Sequence, residues 1–67
     1  MSKLSKNIRK LRKEMGITQD QLSDKLGIPR KTYSSYEQYR CEPNIKLLVK
    51  LSDLFNVTID DLIKKDL

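Results

Sequence analysis

Apolar residues recur along the chain at the three- and four-residue spacing of amphipathic helices, and no stretch alternates as a half-buried strand would. The first series ends just before Gly16, a residue type that commonly terminates helices in the left-handed conformation. We therefore predict a first helix over about residues 3–15. Its inward-facing side chains are expected to be Leu4, Ile8, Leu11 and Met15.

Two short helices joined by a glycine turn are predicted over residues 18–38. Thr18 and Gln21 have the spacing of a capping box, in which each side chain bonds the backbone of the other residue. The second helix stops at Gly27, and the third is predicted to run from about residue 29 or 30 to 38, because the ring of Pro29 fixes φ at a value suited to a first helical turn. The residues expected to pack these helices together are Leu22, Leu26, Ile28, Tyr33 and Tyr36, with the small Ser23 where they touch.

A fourth and a fifth helix are predicted to begin after Asn44 and Thr58, which are good N-caps. A loop over residues 39–43 precedes them, because Pro43 disfavours helix at the residue before it. The fifth helix has carboxylates in its first turn, where the helix dipole favours them; they are Asp60 and Asp61. The inner face of the fourth helix is expected to comprise Ile45, Leu48, Leu51, Ser52 and Phe55.

The fold class that follows is all-α, with five helices in one domain over residues 1–67. A length of 67 residues excludes two conventional domains, and the apolar runs are too short for a membrane span. The first thirteen residues lack the continuous apolar stretch of a signal peptide, so a cytoplasmic protein is expected.

Chemistry-bearing residues are scarce. The single cysteine, Cys41, excludes an internal disulfide and is expected to be an incidental thiol rather than a redox switch. With no histidine, no metal site is expected, and no cofactor or small-molecule ligand is indicated. No acid–base or nucleophile constellation is present, so we predict that the protein is not an enzyme.

The net charge of +5 is distributed unevenly along the chain. Residues 1–40 hold ten basic and four acidic side chains, whereas residues 41–67 hold four basic and five acidic ones. The predicted first helix is basic without an acid among its first thirteen residues; its cations are Lys3, Lys6, Arg9, Lys10, Arg12 and Lys13. This face is either simply solvated or a field that attracts the backbone of a nucleic acid.

The predicted third helix points to duplex DNA. Arg30 and Lys31 stand at its N-terminus, where cations oppose the helix dipole, so an anionic partner explains them better than solvent does. A helix fits the major groove, and Arg or Lys can donate there to guanine N7 and O6. Ser34 and Ser35 share the outward face.

The tyrosines of this segment could stack on bases, but three-residue spacing on an amphipathic helix favours a core position. We therefore expect Tyr33 and Tyr36 inside. Tyr39 is expected to be exposed, with its hydroxyl on a phosphate.

The chain resembles the lambda-repressor/Cro-like helix-turn-helix family over nearly its whole length. The matching elements are Ile8-Arg9-Lys10-Leu11-Arg12, Gly16-Ile17-Thr18-Gln19, Leu22, Lys25-Leu26-Gly27, Tyr36-Glu37, Pro43, Leu48, Leu51 and Val57. This resemblance implies a compact five-helix DNA-binding domain whose helix-turn-helix core is residues 18–38. Tyr39 stands where the family usually has glycine, which leaves the end of the third helix and the placement of Arg40 open.

The resemblance also implies roles for individual residues. Gln19 would contact a phosphate while steadying a residue of the third helix, and Arg12 would form a partly buried ion pair with Glu37. The expected base contacts are Arg30, Lys31, Ser34 and Ser35. Further phosphate contacts are expected from Thr18, Lys10, Tyr39 and Arg40.

The predicted function is that of a sequence-specific transcriptional regulator of double-stranded DNA, a repressor that binds a near-palindromic operator as a homodimer. The dimer contact is assigned to apolar residues left over on the last two helices, which a wide core-facing surface would also explain; they are Leu47, Leu54, Ile63 and Leu67. The competing prediction is a protein-interaction module, an antitoxin-like or anti-repressor partner, that uses this same leucine surface.

Overall fold

The computed structural model describes residues 2–67, which form α-helices and no strand. The helices are α1 (Leu4–Met15), α2 (Gln19–Leu26), α3 (Arg30–Glu37), α4 (Ile45–Phe55) and α5 (Ile59–Lys64). The predicted all-α architecture is therefore confirmed. Helix α1 packs against α3 and α5, α2 against α3 and α4, and α4 against α5. None of the helices within residues 2–67 has the length and apolar character needed to cross a membrane.

The turns around α2 have the predicted local geometry. Gly16 and Gly27 both lie at φ +72°, in the left-handed region that a residue without a Cβ adopts at low cost. The amide of Gln21 donates to Thr18 Oγ1 at 3.1 Å, and the amide of Thr18 donates to Gln21 Oε1 at 2.8 Å, which completes the capping box.

The other helix ends agree with the prediction except at the start of α3. Asn44 and Thr58 cap α4 and α5 through their side chains, as predicted. Pro29, however, lies just before α3 in an extended conformation (φ −63°, ψ 146°) rather than in its first turn. Asn56 ends α4 at φ +55°, a conformation that asparagine tolerates better than most residues do.

The core contains a fully buried side chain from every helix in residues 2–67: Ile8, Leu22, Tyr33, Leu51 and Leu62. Tyr33 and Tyr36 are both buried, which confirms their predicted core positions, and their rings meet edge to face with centroids 6.4 Å apart. Because Tyr33 is fully buried in this cluster, the packing of the core fixes which face of α3 is left outside.

Two apolar residues that were predicted to face inward are exposed. Ile45 has 76% of its surface exposed, because it is six positions before Leu51 and so lies ~120° around α4 from it. Leu47 takes the core position instead, with 7% exposed. Met15 is 45% exposed, since α1 ends there and Ile17, after the turn, packs on the core.

Asn7 is a buried polar residue that the hydrophobic pattern did not identify. It has no exposed surface, and its Nδ2 donates to the carbonyls of Leu62 at 2.8 Å and Lys65 at 2.7 Å. Its Oδ1 accepts from the amide of Leu67 at 3.3 Å. Asn7 therefore pairs the otherwise open carbonyls at the end of α5 and ties α1 to the last turn of the fold.

Replacing Asn7 by alanine is expected to lower the free energy of unfolding by about 1–3 kcal/mol, because backbone groups of α5 would be left buried without partners. Urea unfolding followed by circular dichroism measures the loss. Lys6→Ala, on the exposed face of the same helix, should change stability by no more than about 0.5 kcal/mol. Equal effects of the two substitutions would contradict this role of Asn7.

Candidate nucleic-acid interface

The turn between α2 and α3 fixes the placement of α3. The Ile28 amide donates to the Ser23 carbonyl at 3.1 Å, which closes the end of α2 around Gly27. Ser23 is 2% exposed, and its hydroxyl bonds within its own helix, so a small side chain occupies the buried side of α2. Helix α3 then begins at Arg30 with its tyrosine face held in the core.

The outward face of α3 brings together the residues predicted to contact bases. Arg30 and Lys31 are exposed, and Ser34 and Ser35 are half-buried beside them. All lie on the arc of the helix opposite Tyr33 and Tyr36. An open groove follows this face and is lined by Lys31, Thr32, Ser34, Ser35, Gln38 and Arg40.

The hydroxyls of this strip are already oriented by neighbours. Ser35 Oγ donates to the carbonyl of Lys31 at 3.0 Å, and Ser34 Oγ accepts from Gln38 Nε2 at 3.1 Å. Lone pairs of Ser35 Oγ and the hydroxyl proton of Ser34 are left for an external partner, since a hydroxyl can donate once and accept twice.

A buried carboxylate joins α1, α2 and α3 behind this strip. Arg12 Nε donates to Glu37 Oε2 at 2.7 Å, and Gln19 Nε2 donates to Glu37 Oε1 at 3.0 Å. The Tyr33 hydroxyl donates to the same carboxylate, and Arg12 Nη1 donates to the Ile17 carbonyl at 2.9 Å. The side chains of Arg12 and Glu37 are 12% and 4% exposed, so the two residues form a partly buried ion pair.

The protonation states in this network follow from its hydrogen bonds. Burial alone would raise the pKa of Glu37, but the hydrogen bonds from Arg12, Tyr33 and Gln19 outweigh it and hold the pKa below its ordinary value. Burial and the adjacent carboxylate raise the pKa of the Tyr33 hydroxyl far above its usual range. Glu37 is thus ionised and Tyr33 neutral at pH 7, which suits a carboxylate that accepts from every side.

The residues predicted to contact phosphates are divided between two surfaces. Gln19 and Thr18 begin α2 beside the end of α3, although the Thr18 hydroxyl also serves the capping box. Arg40 is exposed in the groove along α3. Lys10 borders the groove between α1 and the end of α3, and its Nζ also donates to the Leu67 carbonyl, so its predicted phosphate contact stays a prediction.

Tyr39 shows how α3 ends without the usual glycine. It adopts φ +65°, so the backbone keeps the left-handed geometry in spite of a side chain that makes it costly, by roughly 1–2 kcal/mol. The Arg40 amide then donates to the Ser35 carbonyl at 3.0 Å and closes the helix. The Tyr39 hydroxyl donates to the Ser2 carbonyl at 3.2 Å, so it faces the start of α1 in the free chain.

A row of exposed cations runs along the outer face of α1 and consists of Lys6, Arg9 and Lys13. These residues border a groove of about 600 Å³ between α1 and the end of α3. Arg9 and Lys13 also border a second groove, together with Gln19 and Gln38. The basic face of α1 is therefore continuous with the outward surface of α2 and α3.

Two residues of this surface were not identified from the sequence. Gln38 borders both the α3 groove and the groove toward α1. Asp20, in the first turn of α2, has its Oδ1 3.6 Å from Arg30 Nε. The sequence signal for Asp20 was only a favourable charge at a helix N-terminus, which does not reveal a partner on the next helix.

The apolar surface assigned to a dimer contact is smaller than expected. Leu47 is buried in the core of the single chain, and its assignment to a contact with another chain is therefore wrong. Leu54 is half-buried and packs against the core. Ile63 and Leu67 are half-buried.

Two helices joined by a tight glycine turn, with the second turning its polar face outward, define a helix-turn-helix domain. A family model described as helix-turn-helix matches residues 8–62. The chain belongs to the lambda-repressor/Cro-like helix-turn-helix family. The sequence prediction of this family is confirmed.

Known relatives extend this assignment. An uncharacterized transcriptional regulator of Bacillus subtilis, YqaE, is 42% identical over 60 residues, covering 90% of this chain and 52% of that protein. The B. subtilis transcriptional regulator ImmR is 38% identical over 63 residues, covering 94% of this chain and 50% of that protein. The chain thus spans about half the length of these relatives. Both are named as transcriptional regulators, a non-enzymatic class, in agreement with the sequence analysis.

A solved structure has the same fold. The P22 c2 repressor, crystallised with a synthetic operator, superposes with a TM-score of 0.87 and 32% identity, covering 94% of this chain and 96% of that one.

Removal of the Glu37 side chain is expected to destabilise the protein severely. Glu37→Ala leaves the Arg12 guanidinium buried without its partner, a change that costs about 3–5 kcal/mol. The total free energy of unfolding of a domain of this size is roughly 3–10 kcal/mol, so the melting temperature should fall steeply or folding should be lost. The matched control is Asp60→Ala, which breaks the exposed contact with Lys64 (3.9 Å) and should melt close to the wild type. A Glu37→Ala melting point within a degree or two of wild type would show that the pair does not stabilise the fold.

The low pKa of Glu37 also predicts a dependence of stability on acid. A carboxylate whose pKa is lower in the folded than in the unfolded state adds stability above the unfolded value, ~4.3, and loses it as the pH falls through the folded value. The stability advantage of wild type over Glu37→Gln should therefore be largest near neutral pH and shrink below pH ~4. Urea unfolding between pH 3 and 7 measures it. If the free energies of unfolding of wild type and Glu37→Gln differ by the same amount at every pH, the prediction is contradicted. Glu14→Gln, on the exposed surface of α1, controls for general charge effects.

Proposed function

We propose that this chain is the sequence-specific DNA-binding domain of a transcriptional repressor, with α3 in the major groove of an operator. The observation that carries the proposal is the strip of Arg30, Lys31, Ser34 and Ser35 on one face of a helix whose other face is locked in the core. The likeness to a repressor solved with its operator supports it. A cytoplasmic location belongs to the same proposal.

The dimensions and chemistry of α3 suit this groove. An α-helix with its side chains is ~10–12 Å in diameter, which matches the ~12 Å width of the B-form major groove. Arg30 and Lys31 would donate to guanine acceptors, while Ser34 and Ser35 can donate or accept over a shorter reach. Because the two serines are short, Arg30 and Lys31 would make most of the direct contacts to bases.

Phosphate contacts would lie next to the reading helix. Gln19 at the start of α2 and Arg40 after α3 both lie near the end of this helix, and the first-turn amides of α2 favour an anion. Tyr39 can join them if its hydroxyl exchanges the Ser2 carbonyl for a phosphate. The α1 row of Lys6, Arg9 and Lys13 adds a field that attracts the backbone.

We infer a homodimer from the proposed operator, which would have two half-sites. Half-sites one helical turn apart are separated by ~34 Å, whereas the longest dimension of this fold is 25 Å. One copy can therefore occupy only one half-site, and a near-palindromic operator needs two. We assign the contact between copies to Ile63 and Leu67 with the exposed edge of Leu54.

The competing protein-interaction module has less support. It depended on a broad leucine surface, and Leu47 is unavailable while Leu54 mainly packs inward. Weak retention on a DNA resin together with a co-purifying partner would favour it over the repressor.

The proposal is tested by selecting bound oligonucleotides from a random duplex pool and by comparing variants on the selected site. Arg30→Ala and Lys31→Ala should each relax the preference at an individual base pair. The expected loss of discrimination against the wrong base is ~1–3 kcal/mol for each variant. Gln19→Ala should weaken selected and random DNA alike. Equal losses on both kinds of DNA for all these variants would reject the division between base and phosphate contacts.

A salt titration of the same complexes serves as the control for electrostatics. A protomer that neutralises four or five phosphates should give a log–log slope of about −4, doubled in the dimer. A flat response would reject the assignment of phosphate contacts.

A further inference from the structure

The ion pair between Asp20 and Arg30 crosses the helix-turn-helix, from the first turn of α2 to the first residue of α3. Both side chains are well exposed, at 73% and 64%, so the pair adds little to folding stability. The backbones that carry the pair are nevertheless fixed relative to each other, because Leu22 of α2 and Tyr33 of α3 are buried in the same core cluster. A contact of this kind can affect how Arg30 meets a ligand without affecting whether the chain folds.

The geometry leaves a particular edge of the guanidinium available. Asp20 Oδ1 approaches Nε of Arg30 at 3.6 Å, on the side of the fork that adjoins the stem. At 3.6 Å this contact is an ion pair rather than a hydrogen bond, and no hydrogen bond within residues 2–67 engages Nη1 or Nη2, so both groups can donate to an external acceptor. Those are donors in the spacing that matches N7 and O6 of a guanine.

The charge of Asp20 also distinguishes between the two kinds of acceptor on DNA. A phosphate is an anion, so a carboxylate beside Arg30 repels it and competes with it for the guanidinium. A guanine edge is neutral, so it is not repelled in this way. Asp20 therefore disfavours the sequence-independent contact of Arg30 more than the sequence-dependent one.

We propose that Asp20 is a positioning residue that holds Arg30 for guanine and away from phosphate, and so raises the sequence specificity of the domain. This inference rests on the proposed function. It assigns Asp20 no base contact of its own and no part in folding.

The test uses the selected operator and a random duplex of equal length. The base pair read by Arg30 is first identified as the position at which Arg30→Ala loses its preference. Asp20→Asn should then bind random DNA more tightly, and its operator-to-random affinity ratio should fall about 3- to 10-fold, a part of the discrimination that a bidentate contact supplies. The preference for guanine at that one position should weaken, and the melting temperature should stay near that of wild type.

The matched control is Asp24→Asn, which makes the same charge change one turn later on the exposed side of α2. It should leave the affinity ratio and the guanine preference as in wild type. In an Arg30→Ala background, Asp20→Asn should no longer alter the ratio, because the side chain that it positions is absent.

An unchanged ratio in Asp20→Asn, or an equal change in Asp24→Asn, would overturn the inference while leaving the proposed function standing. A persistent effect in the Arg30→Ala background would overturn it as well, since Asp20 would then act without Arg30. If wild type does not distinguish any selected duplex from random DNA, the proposed function itself fails.

Discussion

The carboxylate of Glu37 holds α1, α2 and α3 together. It accepts hydrogen bonds from Arg12 of α1, Gln19 of α2 and Tyr33 of α3, so it fixes three helices at one point. Desolvating such a group is costly, and the hydrogen bonds from Arg12, Gln19 and Tyr33 offset that cost. The relative orientation of α2 and α3 therefore depends on an electrostatic contact as well as on apolar packing.

Features determined by local chemistry were predictable from the sequence. The glycine turns at Gly16 and Gly27 and the caps at Thr18, Asn44 and Thr58 depend on residues within a few positions of one another, and they have the expected geometry. The family resemblance added the pair between Arg12 and Glu37, which are 25 positions apart. No local rule would have found that pair.

Features determined by tertiary contacts were not predictable. Asn7 resembles an ordinary polar helix residue until the end of α5 is placed against it. The inner face of α4 was assigned from spacing alone; Ile45 lies ~120° around the helix from the buried Leu51, whereas Leu47 lies within ~40° of it and takes the core position. Similarly, the contact between Asp20 and Arg30 exists only because the turn brings two helix starts together.

The contacts of Asn7 have a consequence for the order of folding. Its partners Leu62, Lys65 and Leu67 are 55 to 60 positions away, so the first helix is completed by the last. On a ribosome, α1 emerges early but cannot bury its polar anchor until α5 has left the exit tunnel. We expect α2 and α3, whose contacts are local, to associate before this closure, and the final step of core formation to wait for the C-terminal helix.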